Sequence, residues 1–408
     1  MNFALLLSGR FVSDLGSSIQ ILVMPLFILD VGGTAKTIGL FSFLYILPIL
    51  VIFPFGGVIG DRFNRKRIMV LADALSGLVV LTMAYFSYMG RLSLPLLLGF
   101  QVLVSMFYGF FDPASKGMIP QLVEKNKLSK ANSKLASFRI IAGVLSPVVA
   151  VSMYSQFGMT TLFVINGLSF LVSSFSEMFI QYSHMSDNTK VSPKSILSDL
   201  REGIRYIKSA KIIFSLCIFF LISYAFIHPL FSVVLPIFFR SVLSYSDTYY
   251  GYLQMILFSG ALVGSILAGV LSRNGNQKGV LTFGISLTGL AVLLYAGMLH
   301  PNVVNSFESS SLLYFCLLAF TMFLLYTSVM LVGIPMQTLI QSRTPKDYMS
   351  RVFSIVSLIT KGGAPLGALI YGMIVDYVEI HVSALVIAFI TATICLKYVV
   401  SFKSISEI

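Results

Sequence analysis

Apolar stretches of about 20 residues, the length a helix needs to cross a bilayer's hydrocarbon core, recur along the whole of this 408-residue chain. Twelve such runs are read, at 3–29, 37–59, 68–89, 92–114, 135–156, 160–182, 212–239, 249–271, 279–299, 311–334, 352–374 and 382–402. They are continuous rather than alternating, which argues against the strands of an outer-membrane barrel. Composition points the same way: 57% hydrophobic, 11% charged and a mean hydropathy of +0.90, where a soluble domain is about half apolar and a quarter charged. The first run is too long for a cleaved leader, has no basic residue before it and no small-residue cleavage site before Pro25, so it is read as a retained span.

The net charge of +12 would suit nucleic acid, but its placement argues against that partner. With the N-terminus inside, the inner loops hold Arg62, Arg65, Lys66, Arg67, Lys116, Lys125, Lys127, Lys130, Lys134 and most later bases. The outer loops hold only Lys36, Arg91 and Arg240. This positive-inside bias predicts a multi-pass protein of the cell membrane with both termini cytoplasmic. Cys217, Cys316 and Cys395 fall singly in separate runs, so neither a disulfide nor a metal site is expected. No zinc-protease, nucleophile-elbow or phosphate-loop motif is present and only four His occur, so neither an enzyme nor a cofactor is expected. Without Trp, an interfacial belt would fall to Tyr85, Tyr88, Tyr245, Tyr249 and Tyr250.

The longest hydrophilic stretch, 183–211, divides the chain into a first half of six spans, 1–182, and a second, 212–408. It begins as a flexible linker. It then places Ile196, Leu200, Ile204 and Ile207 on one helical face, as an amphipathic helix on the inner leaflet would. Traces of a repeat link the halves. "GVIGDRFNRK" (57–66) has a counterpart in "GVLSRNGNQK" (269–278), and "GVLSP" (143–147) in "KGGAP" (361–365), at offsets of 212 and 218 residues. Parallel six-span repeats are a known transporter plan.

The order Gly57, Asp61–Arg62, Asn64–Arg65–Lys66 resembles the G-x-x-x-D-R-x-G-R-K loop of the major facilitator superfamily. That resemblance implies an all-α membrane protein with twelve transmembrane helices in two pseudo-symmetric six-helix bundles. It also implies that Gly57, Asp61, Arg62, Asn64, Arg65 and Lys66 form a conformational latch, with a partner near Ser350–Arg351. Gly57 would let a neighbouring helix approach. Asn64 stands where the pattern has Gly, as the next best residue for a left-handed turn. The segment 110–135, "FFDPASKGMIPQLVEKNKLSKANSKL", is similar to the drug-exporting branch that includes macrolide efflux proteins, through Phe110, Phe111, Pro113, Ala114, Ile119, Pro120, Leu122, Val123, Leu128, Ala131 and Asn132. The antiporter motif of the fifth span is degraded, with Ala142 and Ser146 in place of glycines and Pro147 kept.

Charges inside a membrane need a reason, because each costs about 2.5–3.5 kcal/mol at mid-bilayer on insertion scales. Arg10 and Asp14 lie one helical turn apart and can pair. Asp14 is placed near the midplane, Arg139 about 10 Å into the fifth span, and Lys361 near the middle of the eleventh. Asp14 is the candidate proton carrier and Arg139 its switching partner. Arg10 and Lys361 complete the proton-coupling candidates. Arg10, Asp73, Asp112 and Glu177 are also open to a plain reading, snorkelling or inner-face ion pairs. His228, before Pro229, is either a hydrogen-bonded break or a proton relay. The superfamily plan would line a cavity with Gln20, Gln101, Phe107, Tyr108, Tyr224, Phe231, Phe320, Met322, Phe323 and Tyr326, or leave many of them packed against lipid. A wall rich in Phe and Met suits varied apolar ligands.

Together these features predict a monomeric secondary transporter exporting amphiphilic small molecules, macrolide-like drugs among them, against protons. The alternatives are export of a specific metabolite or siderophore and, last, nutrient import, which a cavity poor in charge disfavours.

Overall fold

The computed structural model describes all residues except Met1, 125–127, 183–200, 203, 244, 273–275, 308–310, 344–348 and 405–408. The chain resolves into two compact units, one of Met1–Gly33 and Phe41–Ile196, the other of Thr34–Leu40 and Leu197–Ile408. No strand occurs among the described residues.

The first unit carries α1 (Asn2–Asp30), most of α2 (Ala35–Arg62), α3 (Arg65–Tyr88), α4 (Leu94–Leu122) and α5 (Leu128–Met178). α5 breaks at Gly158, whose φ of 72° and ψ of 173° are non-helical. A side chain there would be strained, so glycine marks the corner. The two arms of α5 correspond to the expected runs 135–156 and 160–182, so five helices supply six spans. The second unit carries α6 (Lys211–Pro229), a π-helical turn (Leu230–Val234), α7 (Leu235–Ser241), α8 (Asp247–Leu271), α9 (Gln277–Met298), the short α10 (Pro301–Ser306), α11 (Leu312–Arg343), α12 (Met349–Val375) and α13 (Ile380–Ser404). Eleven helices among the described residues are long and apolar enough to cross a membrane. With α5 counted as two, the expected twelve runs are all present.

The helices are amphipathic in the inverted sense that lipid demands. On α3, Asp73, Ser76 and Gly77 face inward while Leu71, Leu75 and Leu78 are 59%, 42% and 56% exposed. On α13, Ala384, Ala388, Thr391 and Cys395 are buried and Val386, Phe389 and Leu396 lie outside. An exposed apolar surface of this extent has no place in water.

Within each unit the same neighbours recur. α3 packs against α4 and α5, and α9 against α11 and α13. Small residues set these crossings, as membrane helices need. The Cβ absent from Gly77 would meet Leu171 and the backbone of Gly167, and Ser174 Oγ donates to Val70 O at 2.9 Å. On α8, Gly260 and Gly264 receive the backbone of Phe323 and Thr327, and Thr327 Oγ1 donates to Gly260 O at 3.0 Å.

Two local expectations are corrected, and a third is described only in part. Asn64 is not left-handed: its φ is −60° and ψ 109°, and its side chain caps α3 by accepting from the backbone N–H of Lys66 (3.0 Å) and Arg67 (3.3 Å). A helix start exposes unpaired N–H groups, and an Asn carbonyl satisfies them from an extended backbone. Its repeat counterpart, Asn276, caps α9 through Gly279 N at 3.1 Å, so the 212-residue offset joins two residues with one task. Tyr250 is fully buried, its hydroxyl accepting from Gln254 Nε2 at 3.0 Å, and belongs to no interfacial belt. Of the predicted amphipathic face, Ile207 is buried in a core cluster with Leu216, Phe219 and Met336, and Ile204 is exposed. Ile196 and Leu200 lie outside the described residues.

The cap gives a first expected result. Asn64→Ala should cost about 1 kcal/mol and Asn64→Gly only a few tenths, read from thermal unfolding of the purified protein. Clear stabilisation by Gly would restore the left-handed turn instead.

Candidate functional site

The first unit buries more charge than its packing needs. Arg10, on α1, is 4% exposed. Its Nη2 reaches Asp112 Oδ1 of α4 at 2.5 Å, its Nε reaches Asp14 Oδ2 at 3.4 Å, and its Nη1 donates to Ser115 Oγ. Lys116 Nζ lies 2.7 Å from the other Asp112 oxygen. Arg10 also sits 5.7 Å from the centre of the Phe111 ring, in cation–π range. One guanidinium thus ties α1 to α4, using the fixed fork that suits carboxylates.

The expected Arg10–Asp14 pair is present, and Asp112 joins it. The Asp14 side chain is 23% exposed where those of Arg10 and Asp112 are nearly closed off. Among the three, Asp14 has the most accessible side chain. Tyr45 and Tyr108 lie within electrostatic range of it.

Asp73 and Glu177 depart from the ion-pair and snorkelling expectations. Asp73 is 2% and Glu177 0% exposed, and neither makes an ion pair among the described residues. Among the described residues, Asp73 Oδ2 and both Glu177 carboxyl oxygens are buried without a hydrogen-bond partner, as is Ser173 Oγ beside them.

The loop expected to act as a latch is described only in part. Asn64 caps α3, its neighbour Lys66 donates its backbone N–H to that cap, and Arg65 Nη1 donates to Gly117 O on α4. The expectations for Gly57, Asp61, Arg62, Arg139, Ser350 and Arg351 concern side-chain surroundings that lie outside the described ones. Lys361, on α12, is exposed.

The expected cavity residues fall into distinct settings. In the first unit Gln20 is buried and accepts from Asn166 Nδ2 at 2.7 Å, and Gln101 is buried and donates to Ser105 Oγ at 3.1 Å. Tyr108 is partly accessible, and Phe107 packs on the Leu6–Met69–Phe111 cluster. In the second unit Phe231 sits at the π turn, edge-on to Tyr326 with ring centres 5.0 Å apart, and 5.6 Å from Tyr295. Tyr224, Phe323 and Tyr326 are partly accessible, Met322 is fully buried and Phe320 is exposed.

The π turn follows Pro229, which has no N–H to continue the ladder. The Tyr295 hydroxyl donates to Leu230 O there at 3.3 Å, and His228 Nδ1 lies 3.3 Å from Ser232 Oγ. Sequence reading missed this turn's geometry, although the His228–Pro229 pair marked its place.

The sequence pattern described as the Major Facilitator Superfamily matches residues 6–368. The chain belongs to the major facilitator superfamily. It is 23% identical over 391 residues to macrolide efflux protein A of Streptococcus pyogenes, covering 93% of this chain and 91% of that protein. It is also 23% identical over 394 residues to the multidrug efflux pump Tap of Mycobacterium bovis, covering 94% and 89%. Among solved structures, the nucleoside transporter NupG superposes with a TM-score of 0.78 over 100% of both chains at 10% identity, a likeness of fold alone. This superfamily member is a multi-pass membrane protein of a transporter family, and it resembles the drug-efflux branch.

Proposed function

We propose that this major facilitator exports amphiphilic small molecules, macrolide-like drugs among them, by alternating access driven by proton entry. The protein acts as a monomer in the cell membrane with both termini cytoplasmic. The observation that carries the reading is the buried Arg10–Asp14–Asp112 group, in which one carboxylate, Asp14, stays partly accessible. Intramembrane charge of this kind is retained for function rather than stability.

Asp14 takes a proton in one facing state and gives it up in the other. Arg10 holds the charged form when the proton has left, and Arg139 and Lys361 are the further candidates for switching. Gly57, Asp61, Arg62, Asn64, Arg65 and Lys66 form the latch. Aromatic groups recognise the substrate: Tyr224, Phe231, Phe323 and Tyr326 in the second unit offer rings and hydroxyls, with little charge, to a greasy ligand. The names of the relatives from Streptococcus and Mycobacterium support the same substrate class.

The test is drug susceptibility of cells expressing the protein, with and without an uncoupler. Resistance abolished by the uncoupler is expected; resistance that survives would remove the proton-driven reading. In reconstituted vesicles, Asp14→Asn should bring substrate-driven proton flux down to the protein-free background. Wild-type coupling in that variant would reject Asp14 as carrier.

A further inference from the structure

We propose that Asp73 and Glu177 form a second, fully buried proton-binding site beside the Ser173 hydroxyl. The site rests on the proton-driven reading for its role, but its occupancy rests on burial and on the orphaned oxygens.

Three helices converge on it. α3 supplies Asp73, the second arm of α5 supplies Ser173 and Glu177, and α1 passes close enough that a Cβ on Gly9 would come 3.2 Å from Ser173 Oγ. The register of α3 against α5 is pinned on either side, by Ser174 donating to Val70 O at 2.9 Å and by Gly77 under Leu171. Asp73 and Glu177 interact electrostatically, and Ser173 lies within reach of both. The surroundings are dry: Met69 and Ala72 on α3, Leu6 on α1 and Ile180, one turn past Glu177, belong to a single apolar cluster.

The charges facing the pair do not neutralise it. Arg10 acts on both carboxyls only through space, because its three nitrogens are engaged by Asp14, Ser115 and Asp112. Lys116, from α4, closes on Asp112. Among the described residues Arg10 and Lys116 make their ion pairs with Asp14 and Asp112, and neither pairs with Asp73 or Glu177. An ionised carboxylate is an acceptor only, and among the described residues Asp73 Oδ2 and both Glu177 carboxyl oxygens are buried without a hydrogen bond, with the single Ser173 hydroxyl the one donor group beside them. Burying such an anion bare is prohibitive. The form that fits is the carboxylic acid, whose O–H forms when a proton arrives and breaks when it leaves.

The position suits storage. Asp14, the more accessible carboxylate, lies within electrostatic range of Asp73, so a proton taken at Asp14 has a second, more buried acceptor in the same unit. The ligand is therefore a proton, and a monovalent metal cation is the competing occupant.

The experiment is infrared difference spectroscopy of the purified full-length protein in H2O and D2O, with Glu177→Gln, Asp73→Asn and Asp14→Asn alongside the wild type. A protonated-carboxyl band that shifts in D2O should be present near neutral pH, be lost in Glu177→Gln or Asp73→Asn, and persist in Asp14→Asn. Thermal unfolding of Glu177→Gln should match the wild type, because an amide replaces an already uncharged group. A band unchanged in both the Asp73 and Glu177 variants would overturn the proposal. So would a band displaced by sodium at constant pH, which would assign the site to the cation. Export that proves independent of protons defeats the functional reading while leaving the band to decide this site.

Discussion

Arg10→Met is expected to cost about 3 kcal/mol, the lower end of the penalty for removing one partner of a buried ion pair, because Lys116 Nζ stays 2.7 Å from Asp112. Arg10 is the hub: its removal strips Asp112 of the cation at 2.5 Å, frees Ser115, and leaves Asp14 without its neighbour one turn away. A loss of that size is a large part of the stability of an ordinary domain. The measurement is thermal unfolding in detergent, with yield of monodisperse protein as a second readout. Arg10→Met combined with Asp112→Leu removes the pair together and should recover much of the stability, because an apolar pair of similar volume often replaces a buried ion pair without loss. The double variant should still fail to transport. If Arg10→Met alone unfolds like the wild type, the guanidinium is not the structural centre described above.

Gly363→Ala and Gly367→Ala are the second pair with large effects. Both glycines lie on α12 where it crosses α6, and a Cβ at either would run into backbone, at Leu221 O and Ala225 O respectively. Backbone cannot rotate away as a side chain can, so the helices must separate. The expected cost is about 3 kcal/mol, the upper end of overpacking penalties. Gly362 supplies the control, since nothing lies within 4 Å of its missing Cβ. Gly362→Ala should be neutral or slightly stabilising, given the better helix propensity of Ala. Equal effects at 362 and 363 would mean that the α6–α12 crossing is looser than its geometry requires.

What was legible in the sequence follows from what periodicity and spacing encode. The membrane-crossing runs came through because chain length in lipid is fixed by bilayer thickness. Even the corner at Gly158 fell in the gap between two expected runs. Arg10 and Asp14 were paired correctly because both sit on one helix, where spacing alone decides contact. Arg10 with Asp112 was not foreseen, because the two are 102 residues apart and meet only through packing of α1 on α4.

Glu177 and Asp73 show the same limit more sharply. Counting residues from a helix end gives depth but not facing, so a carboxyl near the inner end reads as snorkelling or as one partner of an inner-face ion pair. The face it occupies is set by α1 and α3, and those close over it. Asn64 failed differently. Asn tolerates a left-handed backbone and also caps helices, and comparison with a Gly in the family pattern selected the wrong property. The position of Asn64 directly before the basic start of α3 was the signal for the cap.

The central claim, proton-driven export of amphiphiles, is tested most directly in vesicles reconstituted with the purified protein. The lumen is set acid, and uptake of a permanently charged amphiphilic fluorophore is followed, with protein-free vesicles as control. Uptake that requires both the protein and the gradient, and that stops on adding an uncoupler, is the predicted result. Protein-dependent uptake of the same size without any gradient would contradict the account.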